Sequence, residues 1–163
     1  MSKRIVINSL AFARDANSLQ GVLPIAGLTR LLDKLVDSAG SVSYRVVGRL
    51  GPRSRAQLLL QLDGMLSVCC QRCLEGIEYP VEVRSVLEFV DDEEDLTQEE
   101  VEDDSKDFLP AQSELDVVAL IEDEIILDLP SAPRHENCAL PDTGQGTGKV
   151  SPFSVLQGFK GKA

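Results

Sequence analysis

The sequence predicts an α+β fold: an antiparallel sheet of four or five strands, able to curl towards a barrel, with two main helices packed on its apolar face. Apolar residues alternate with polar ones along most of residues 42–90, which is typical of strands with one face in water. In residues 24–38 and 114–128 they recur instead every three or four positions, which indicates helices. The length of 163 residues and the apolar fraction of 43% suit one domain with a packed core.

The N-terminal part of the chain is predicted to hold a short strand at residues 4–8 and then the first main helix at residues 24–38. The apolar residues of this helix form one face, and Gly40 is placed to end it. The residues of this face are Ile25, Leu28, Leu31, Leu32, Leu35 and Val36.

Four strands joined by short turns are predicted for the middle of the chain. The first two cover residues 42–49 and 56–62. Asp63-Gly64 is a strong two-residue hairpin signal, so residues 65–70 are predicted to form the returning strand. The fourth strand covers residues 77–90. Its solvent-facing side chains are predicted to be Glu78, Glu82, Arg84 and Glu88.

The acidic residues are concentrated in one segment. The chain has a formal net charge of −11, and residues 91–109 contain eleven acids and one lysine, which leaves about −1 for the rest. Such a run repels itself and buries little, so it is predicted to be a solvated, flexible loop. A solubilising linker is one interpretation and a docking site for a basic protein is the other. The candidate contacts of that docking site are Asp91, Asp92, Glu93, Glu94 and Asp95.

The domain organisation follows from these segments. Residues 1–138 are predicted to form a single domain that carries the acidic loop, and residues 139–163 a flexible linker and tail with a short amphipathic segment. The N-terminal residues contain no apolar run long enough for a signal peptide, and no stretch approaches the length of a membrane span. We therefore expect a cytoplasmic protein without a membrane partner.

The second main helix, residues 114–128, is predicted to begin with a capping box formed by Ser113 and Asp116. It carries the run Glu122-Asp123-Glu124, but consecutive helical side chains point about 100° apart and cannot all converge on one ion. We expect Glu122 to be buried or paired with an arginine, and the other two carboxylates to be solvated. A nuclease site on these residues is the weaker alternative. Because the sequence also lacks a phosphate-binding loop, we expect no enzymatic activity and no small-molecule substrate.

Three of the four cysteines lie in one stretch, CCQRC at residues 69–73. It contains a Cys-x-x-Cys pair, Cys70 and Cys73, at the predicted turn between two strands. A second pair with a workable spacing follows in His135-x-x-Cys138. Two thiolates on a tight turn together with a second ligand pair can hold one tetrahedral ion. The pattern therefore favours a zinc knuckle.

Other interpretations of the cysteines remain open. A redox pair needs the motif at the start of a helix, where the thiol pKa is lowered. A structural disulfide is disfavoured in a reducing compartment. The cysteines can also be incidental buried residues. Cys69 is predicted to point to the opposite face from Cys70 and is left outside the site.

Arginines are the candidate RNA contacts. Six of them are predicted to lie on the outward face of the sheet and in its turns, where a basic patch can bind phosphates. They are Arg45, Arg49, Arg53, Arg55, Arg72 and Arg84. The alternative is that they balance outward glutamates across the strands, with little effect on stability.

Several motifs together resemble the YceD family, bacterial and plastid proteins described as large ribosomal RNA subunit accumulation proteins. The resemblance covers roughly the C-terminal 100 residues. The matching residues are Cys70-Gln71-Arg72-Cys73, the block IEDEIILDLP at 121–130, Pro133-Arg134-His135 with Cys138, and PFSVL at 152–156.

The resemblance implies a role in the synthesis, processing or stability of 23S ribosomal RNA, and hence in ribosome biogenesis. It supplies no catalytic residues. The expected partners are the large-subunit rRNA or its precursor, basic ribosomal proteins, or both. Two mechanisms are open: direct RNA binding by the arginines and the knuckle, or an adaptor that holds a basic ribosomal protein or RNA enzyme through its acidic loop.

Overall fold

A mixed five-stranded sheet forms the body of the protein, in a computed structural model that describes residues 4–91, 96–139 and 153. Its strands, in spatial order, are β2 (Ser18–Pro24), β3 (Ser41–Leu50), β4 (Ala56–Cys69), β5 (Gly76–Val90) and β6 (Asp107–Pro110). A separate short pair joins β1 (Val6–Ile7) to β7 (Leu115–Asp116). The helices are α1 (Ser9–Arg14), α2 (Gln98–Val101) and α3 (Val117–Asp128).

The α+β class is confirmed, but the predicted sheet is only partly correct. Strands β2 to β5 pair in antiparallel fashion, whereas β5 and β6 are parallel. Within the described residues the sheet is open, with β2 and β6 at its two edges, so it does not curl into a barrel. Of the predicted linker and amphipathic tail, residues 139–163, all but residues 139 and 153 lie outside the described part of the chain.

The hairpin predicted at Asp63-Gly64 is wrong, because β4 runs straight through these residues. Asp63 pairs with Ser43 of β3 on one side and with Glu82 of β5 on the other. β5 is 15 residues long and offers an uninterrupted partner. Gly64 also suits this position in the strand, since a Cβ there would lie 3.0 Å from a methyl carbon of Val42. The chain reverses after Cys69 instead.

The first main helix predicted from the sequence is wrong as well. The segment forms two single 3-10 turns, Ile25–Gly27 and Leu32–Lys34. The backbone N–H of Leu28 donates to Ile25 O (2.9 Å), and that of Leu31 donates to Leu28 O (3.1 Å). Ile25, Leu28 and Leu31 are buried and stand three residues apart, which is the repeat of a 3-10 turn. These turns cover the core without a helix.

The second main helix is confirmed as α3, but it begins three residues later than predicted and Ser113 is not its N-cap. Its N-cap is Asp116, whose carboxylate accepts from the backbone N–H groups of Val118 (3.0 Å) and Ala119 (3.3 Å). Ile121 and Ile125 of α3 are fully buried in the core that covers one face of the sheet. The described part of the chain contains no helix that is long and apolar enough to span a membrane.

The acidic segment is not a loop throughout, because it contains α2 and β6. Its strand β6 pairs with β5 at the edge of the sheet. Glu100 of α2 accepts from Arg53 (2.9 Å) and from Arg55 (2.7 Å). Arg55 and Lys106 also contact Glu88 at 3.2 and 3.1 Å. Glu88, predicted to face solvent, is only 1% exposed. The prediction failed because Arg55, Gln57 and Lys106 all donate to the Glu88 carboxylate and bury it.

Candidate metal centre

The turn between β4 and β5 positions the first two ligands. The backbone N–H of Cys70 donates to Glu75 O (2.8 Å), and that of Leu74 donates to Cys70 O (2.9 Å). Leu74 has a φ of 64°, the left-handed conformation that closes tight turns. These bonds bring Cys70 and Cys73 to the same side of the turn. The Cys-x-x-Cys pair is therefore a β-knuckle, as predicted.

The segment after α3 brings the second pair of ligands to the same place. α3 stops before Pro130, which cannot continue a helix because it lacks an N–H. The backbone N–H of Gln71 donates to Pro133 O (2.8 Å). The Arg72 guanidinium donates to Cys138 O through Nη1 (2.9 Å). Two bonds from the knuckle thus hold the segment that carries His135 and Cys138.

The four ligand atoms form a compact cluster, all within 4.8 Å of one another. Cys70 Sγ lies 3.7 Å from Cys138 Sγ, and Cys73 Sγ lies 3.3 Å from His135 Nδ1. A tetrahedral zinc ion with Zn–S bonds of about 2.3 Å and a Zn–N bond of about 2.0 Å places two sulfurs about 3.8 Å apart, and sulfur and nitrogen about 3.5 Å apart. The observed separations therefore suit such an ion.

The surroundings of the cluster also resemble those of a metal site. His135 presents Nδ1 to the cluster, while its Nε2 lies 3.2 Å from Gly76 O, where it can donate and fix the tautomer. The backbone N–H of Arg72 donates to Cys70 Sγ at 3.4 Å. Both contacts orient the ligands towards a common centre. The cluster can hold a metal ion, and its three sulfurs and one nitrogen are a ligand set typical of zinc.

The thiol pKa values reflect this crowding. Burial raises the pKa of Cys70, but backbone N–H groups of Cys73, Arg72 and His135 outweigh it and lower the pKa to about 5. The backbone N–H of Glu75 lowers the pKa of Cys73, but burial and the neighbouring thiols outweigh it and raise that pKa. One thiolate thus forms readily, whereas further thiolates beside it need a cation.

Cys69 lies outside the cluster. Its sulfur is 3.8 Å from Cys70 O and 3.8 Å from Leu74 O, and it is only partly buried. Successive side chains of a strand point to opposite faces, and for this reason Cys69 was predicted to lie away from Cys70. Cys69 and Cys70 are therefore neighbours in sequence with different surroundings.

The six arginines proposed as RNA contacts lie in three places. Arg45 and Arg84 share a cross-strand row on the outer face, separated by Gln61. Arg84 pairs with Asp63 at 2.7 Å, whereas Arg45 is exposed and has no ion pair within the described residues.

Another three of these arginines lie at the far end of the same face. Arg49 donates to Gln57 through Nε (2.9 Å), and Arg53 and Arg55 are paired with Glu100, as described above. The charges of Arg53 and Arg55 are therefore balanced within the protein, whereas Arg49 binds a neutral amide. Arg72 stands apart from the other five, in the knuckle.

The sequence missed a further basic residue beside the metal centre. Arg134 is exposed and forms no ion pair among the described residues. It lines a cleft of about 390 Å³ together with Gln71, Arg72 and Ala132. The signal that could have found it is its place directly before His135, because a ligand segment carries its neighbours to the knuckle.

The candidate protein contacts at the start of the acidic segment are described in part. Asp91 is exposed and lines a cleft of about 300 Å³ whose other walls are apolar. Those walls are Val90, Leu96, Val101, Phe108, Leu109 and Pro110. Asp92, Glu93, Glu94 and Asp95 lie outside the described residues.

The carboxylates of α3 are each engaged by a neighbour. Glu122 is buried and accepts from the backbone N–H of Arg30 (2.9 Å), and Asp123 pairs with the Arg30 guanidinium at 2.6 Å. Glu124 was expected to be solvated but is buried, and it accepts from the Ser85 hydroxyl. Burial and the nearby Asp107 and Asp123 raise the pKa of Glu124, against the opposing effect of Ser85.

Comparison with protein families confirms the resemblance seen in the motifs. Residues 58–160 match the family described as Large ribosomal RNA subunit accumulation protein YceD. The matched stretch includes all four residues of the metal centre. No match to the chain was found among curated proteins or among solved structures. The chain belongs to the YceD family of large ribosomal RNA subunit accumulation proteins.

Proposed function

We propose that this protein is a non-enzymatic ribosome-biogenesis factor that supports the synthesis, processing or stability of 23S ribosomal RNA, and that a zinc ion at the metal centre holds its recognition surface together. The family description supplies the link to large-subunit rRNA. The observation that carries the proposal is the four-ligand cluster, which lies inside the matched stretch.

The engagement of the polar residues supports a non-enzymatic role. The lone histidine belongs to the metal cluster, so it is not available as a general base. The carboxylates of α3 are bound to Arg30 and Ser85 rather than gathered around one point. With four protein ligands the proposed zinc site is closed, which is typical of structural rather than catalytic zinc.

The proposed function is tested in cells that lack the protein. We expect reduced 23S rRNA relative to 16S rRNA, restored by the wild-type chain and by Cys69→Ser. Cys70→Ser, which removes one ligand, should fail to restore it at equal protein level. Normal 23S rRNA in the deletion strain, or full rescue by Cys70→Ser, would contradict the proposal.

A second candidate function is favoured by the cleft beside α2. Its walls are mostly apolar, and exposed Val101 (67% exposed) stands among acids. Arg53, Arg55 and Lys106 are committed to Glu100 and Glu88. Excess acidity around an apolar cleft suits a basic amphipathic segment, as found in ribosomal proteins. In this alternative the protein is an adaptor for such a partner.

The two functions are separated by one crosslinking pull-down from cells, read out for RNA and protein together. The adaptor function predicts that Val101→Ser combined with Glu99→Gln removes a basic protein from the captured material and leaves bound RNA unchanged. Both side chains are exposed, so the variant should keep its fold. Capture of the same proteins by this variant would exclude the adaptor function.

A further inference from the structure

The cleft beside the metal centre differs in charge from the rest of the molecule. The chain carries a formal net charge of −11, yet the cleft lined by Gln71, Arg72, Ala132 and Arg134 contains two arginines and no acid. We propose that this cleft binds phosphate groups of RNA and that the metal centre assembles it. The inference rests on the proposed function in rRNA accumulation and names the ligand class for that same site.

The two walls of the cleft come from two distant parts of the chain, which the metal centre and two hydrogen bonds join. The knuckle turn, which carries two ligands, contributes Gln71 and Arg72. The segment after α3, which carries the other two ligands, contributes Ala132 and Arg134. An ion bound to both ligand pairs therefore fixes the distance between the two arginines. Without it, the hydrogen bonds from Gln71 and Arg72 are the main described links.

The two guanidinium groups have donors available for a phosphate. Arg72 uses Nη1 to bind Cys138 O, which anchors the side chain at the edge of the cleft. A guanidinium group has five N–H donors, so several remain. Arg134 has no ion pair among the described residues. Paired guanidinium groups bind phosphate oxygens in a bidentate manner, and the volume of about 390 Å³ accommodates a nucleotide-sized group.

The charge of the loaded metal centre leaves the cleft positive. Three thiolates contribute −3 and one divalent cation contributes +2, a net charge of −1, whereas Arg72 and Arg134 contribute two positive charges. The metal therefore acts by fixing the positions of the two arginines rather than by adding positive charge.

Binding is tested with a fluorescently labelled single-stranded oligouridine RNA of about 20 nucleotides, titrated with the zinc-loaded protein at several salt concentrations. When two phosphate contacts with a single strand are lost, the slope of log K against log salt concentration becomes shallower by about 1.4. We expect Arg72→Ala/Arg134→Ala to show this change and to bind at least about 10-fold more weakly at low salt. Zinc removal from the wild type should have a similar effect.

Arg4→Ala/Arg14→Ala is the matched control. Both of its arginines are exposed and lie away from the metal centre, Arg14 has no ion pair within the described residues, and Arg4 forms only an exposed pair with Asp116. The control changes the net charge equally and should bind RNA like the wild type. Zinc content of each variant is measured, because Arg72 also holds the ligand segment. Equal loss of binding in both double variants would overturn the proposal, as would unchanged binding by Arg72→Ala/Arg134→Ala.

A cellular assay separates this inference from the proposed function. If Arg72→Ala/Arg134→Ala retains zinc and restores 23S rRNA while Cys70→Ser does not, the phosphate site is wrong and the proposed function stands. If the deletion strain has normal 23S rRNA, the proposed function is wrong. Loss of rescue by the zinc-loaded arginine variant, together with weaker RNA binding, supports the phosphate site.

Discussion

Cys70 Sγ lies 3.7 Å from Cys138 Sγ, although 68 residues separate the two cysteines in the chain. The distance is close to the edge of a zinc tetrahedron, about 3.8 Å. Three strands, β5, β6 and β7, and two helices, α2 and α3, intervene between the two positions. The two cysteines therefore come together only in the complete fold. Their contact links the position of the C-terminal segment to that of the sheet.

The first prediction concerns metal content. The purified protein should contain one zinc ion per chain, and Cys70→Ser should lose it because three ligands hold a structural ion poorly. Cys69→Ser is the adjacent control and should retain full occupancy, since Cys69 lies outside the cluster. Elemental analysis and the visible spectrum of the cobalt-substituted protein provide the measurement. Equal occupancy in the two variants would exclude this ligand set.

The second prediction concerns the response to a chelator. Removal of the metal should release the segment after α3 while the sheet stays folded, because the core lies elsewhere. Amide hydrogen exchange is the measurement. The amide of Gln71, which donates to Pro133 O, should exchange at least about tenfold faster, which is a local loss of about 1.4 kcal/mol. The amide of Val46, in the centre of β3, should not change. Global unfolding on chelation would contradict this account.

The metal centre could be predicted because it depends on few residues and on short spacings. The two ligand pairs are each local, so neither required knowledge of the strand order. The cleft with Arg134 could not be predicted in the same way. It exists because the metal ligands and the hydrogen bonds from Gln71 and Arg72 place two distant segments side by side.

The failed hairpin shows a local signal that was outweighed by long-range pairing. Asp-Gly favours a two-residue turn, but such a turn would pair residues 62 and 65 and put odd-numbered residues of the returning strand on the buried face. The buried residues are instead Leu66, Val68 and Cys70. The unbroken alternation of even positions was therefore visible evidence for one long strand.

The failed first helix has a related cause. Six apolar residues fit the spacing of a helix. Only Ile25, Leu28 and Leu31, which lie three positions apart, are fully buried, whereas Leu32 and Val36 are 39% and 49% exposed. A repeat of three and a repeat of 3.6 cannot be separated over so short a segment. Pro24 and Gly27 lower the stability of a helix there. The contacts of these apolar residues with the sheet therefore determine that the segment forms 3-10 turns rather than a helix.

The third prediction concerns Glu88, a buried carboxylate. Burial raises its pKa, but Gln57, Lys106 and Arg55 outweigh burial and lower it. We expect Glu88→Gln to reduce the free energy of unfolding at pH 7 by about 2 kcal/mol, because it removes the carboxylate that Lys106 binds and one of the two carboxylates that Arg55 binds. Glu82→Gln, an exposed position on the same strand, should change it by less than about 0.5 kcal/mol.

The pH dependence of this effect has a defined sign. Since the pKa of Glu88 is lower in the folded state, its stabilisation is present above the unfolded value of about 4.3 and is lost as the pH falls through the folded value. The difference between wild type and Glu88→Gln should therefore shrink below about pH 4. Urea denaturation at several pH values measures it, and a difference that stays constant with pH would show that the charge is not the cause.

The fourth prediction concerns the contact of α1 with β3. A Cβ at Gly48 would lie 2.4 Å from Phe12 O and 2.8 Å from the Cα of Ala13, both backbone atoms that cannot move independently. Gly48→Ala should destabilise the protein by about 2 to 4 kcal/mol. Gly27→Ala is the control, because its nearest neighbour is 3.7 Å away. Thermal unfolding compares the two, and equal melting temperatures would contradict the close approach.

The fifth prediction separates stability from function at α3. Burial, with Asp107 and Asp123, raises the pKa of Glu124. A carboxyl group with a raised folded pKa loses stabilisation as the pH rises from its unfolded value of about 4.3 through the folded value. Glu124→Gln keeps an acceptor for Ser85 and removes this cost, so it should stabilise the protein by about 1 kcal/mol at pH 7 and have little effect below about pH 4.

The same variant addresses the nuclease alternative. A catalytic carboxylate is held in its site at the expense of stability, so its replacement raises stability while activity is lost. A carboxylate that is merely buried gives the stability gain without a functional loss. We expect cells carrying Glu124→Gln to accumulate normal 23S rRNA, with exposed Glu78→Gln as the control. A more stable protein that fails to support 23S rRNA would instead identify Glu124 as a functional group, and the non-enzymatic role would have to be abandoned.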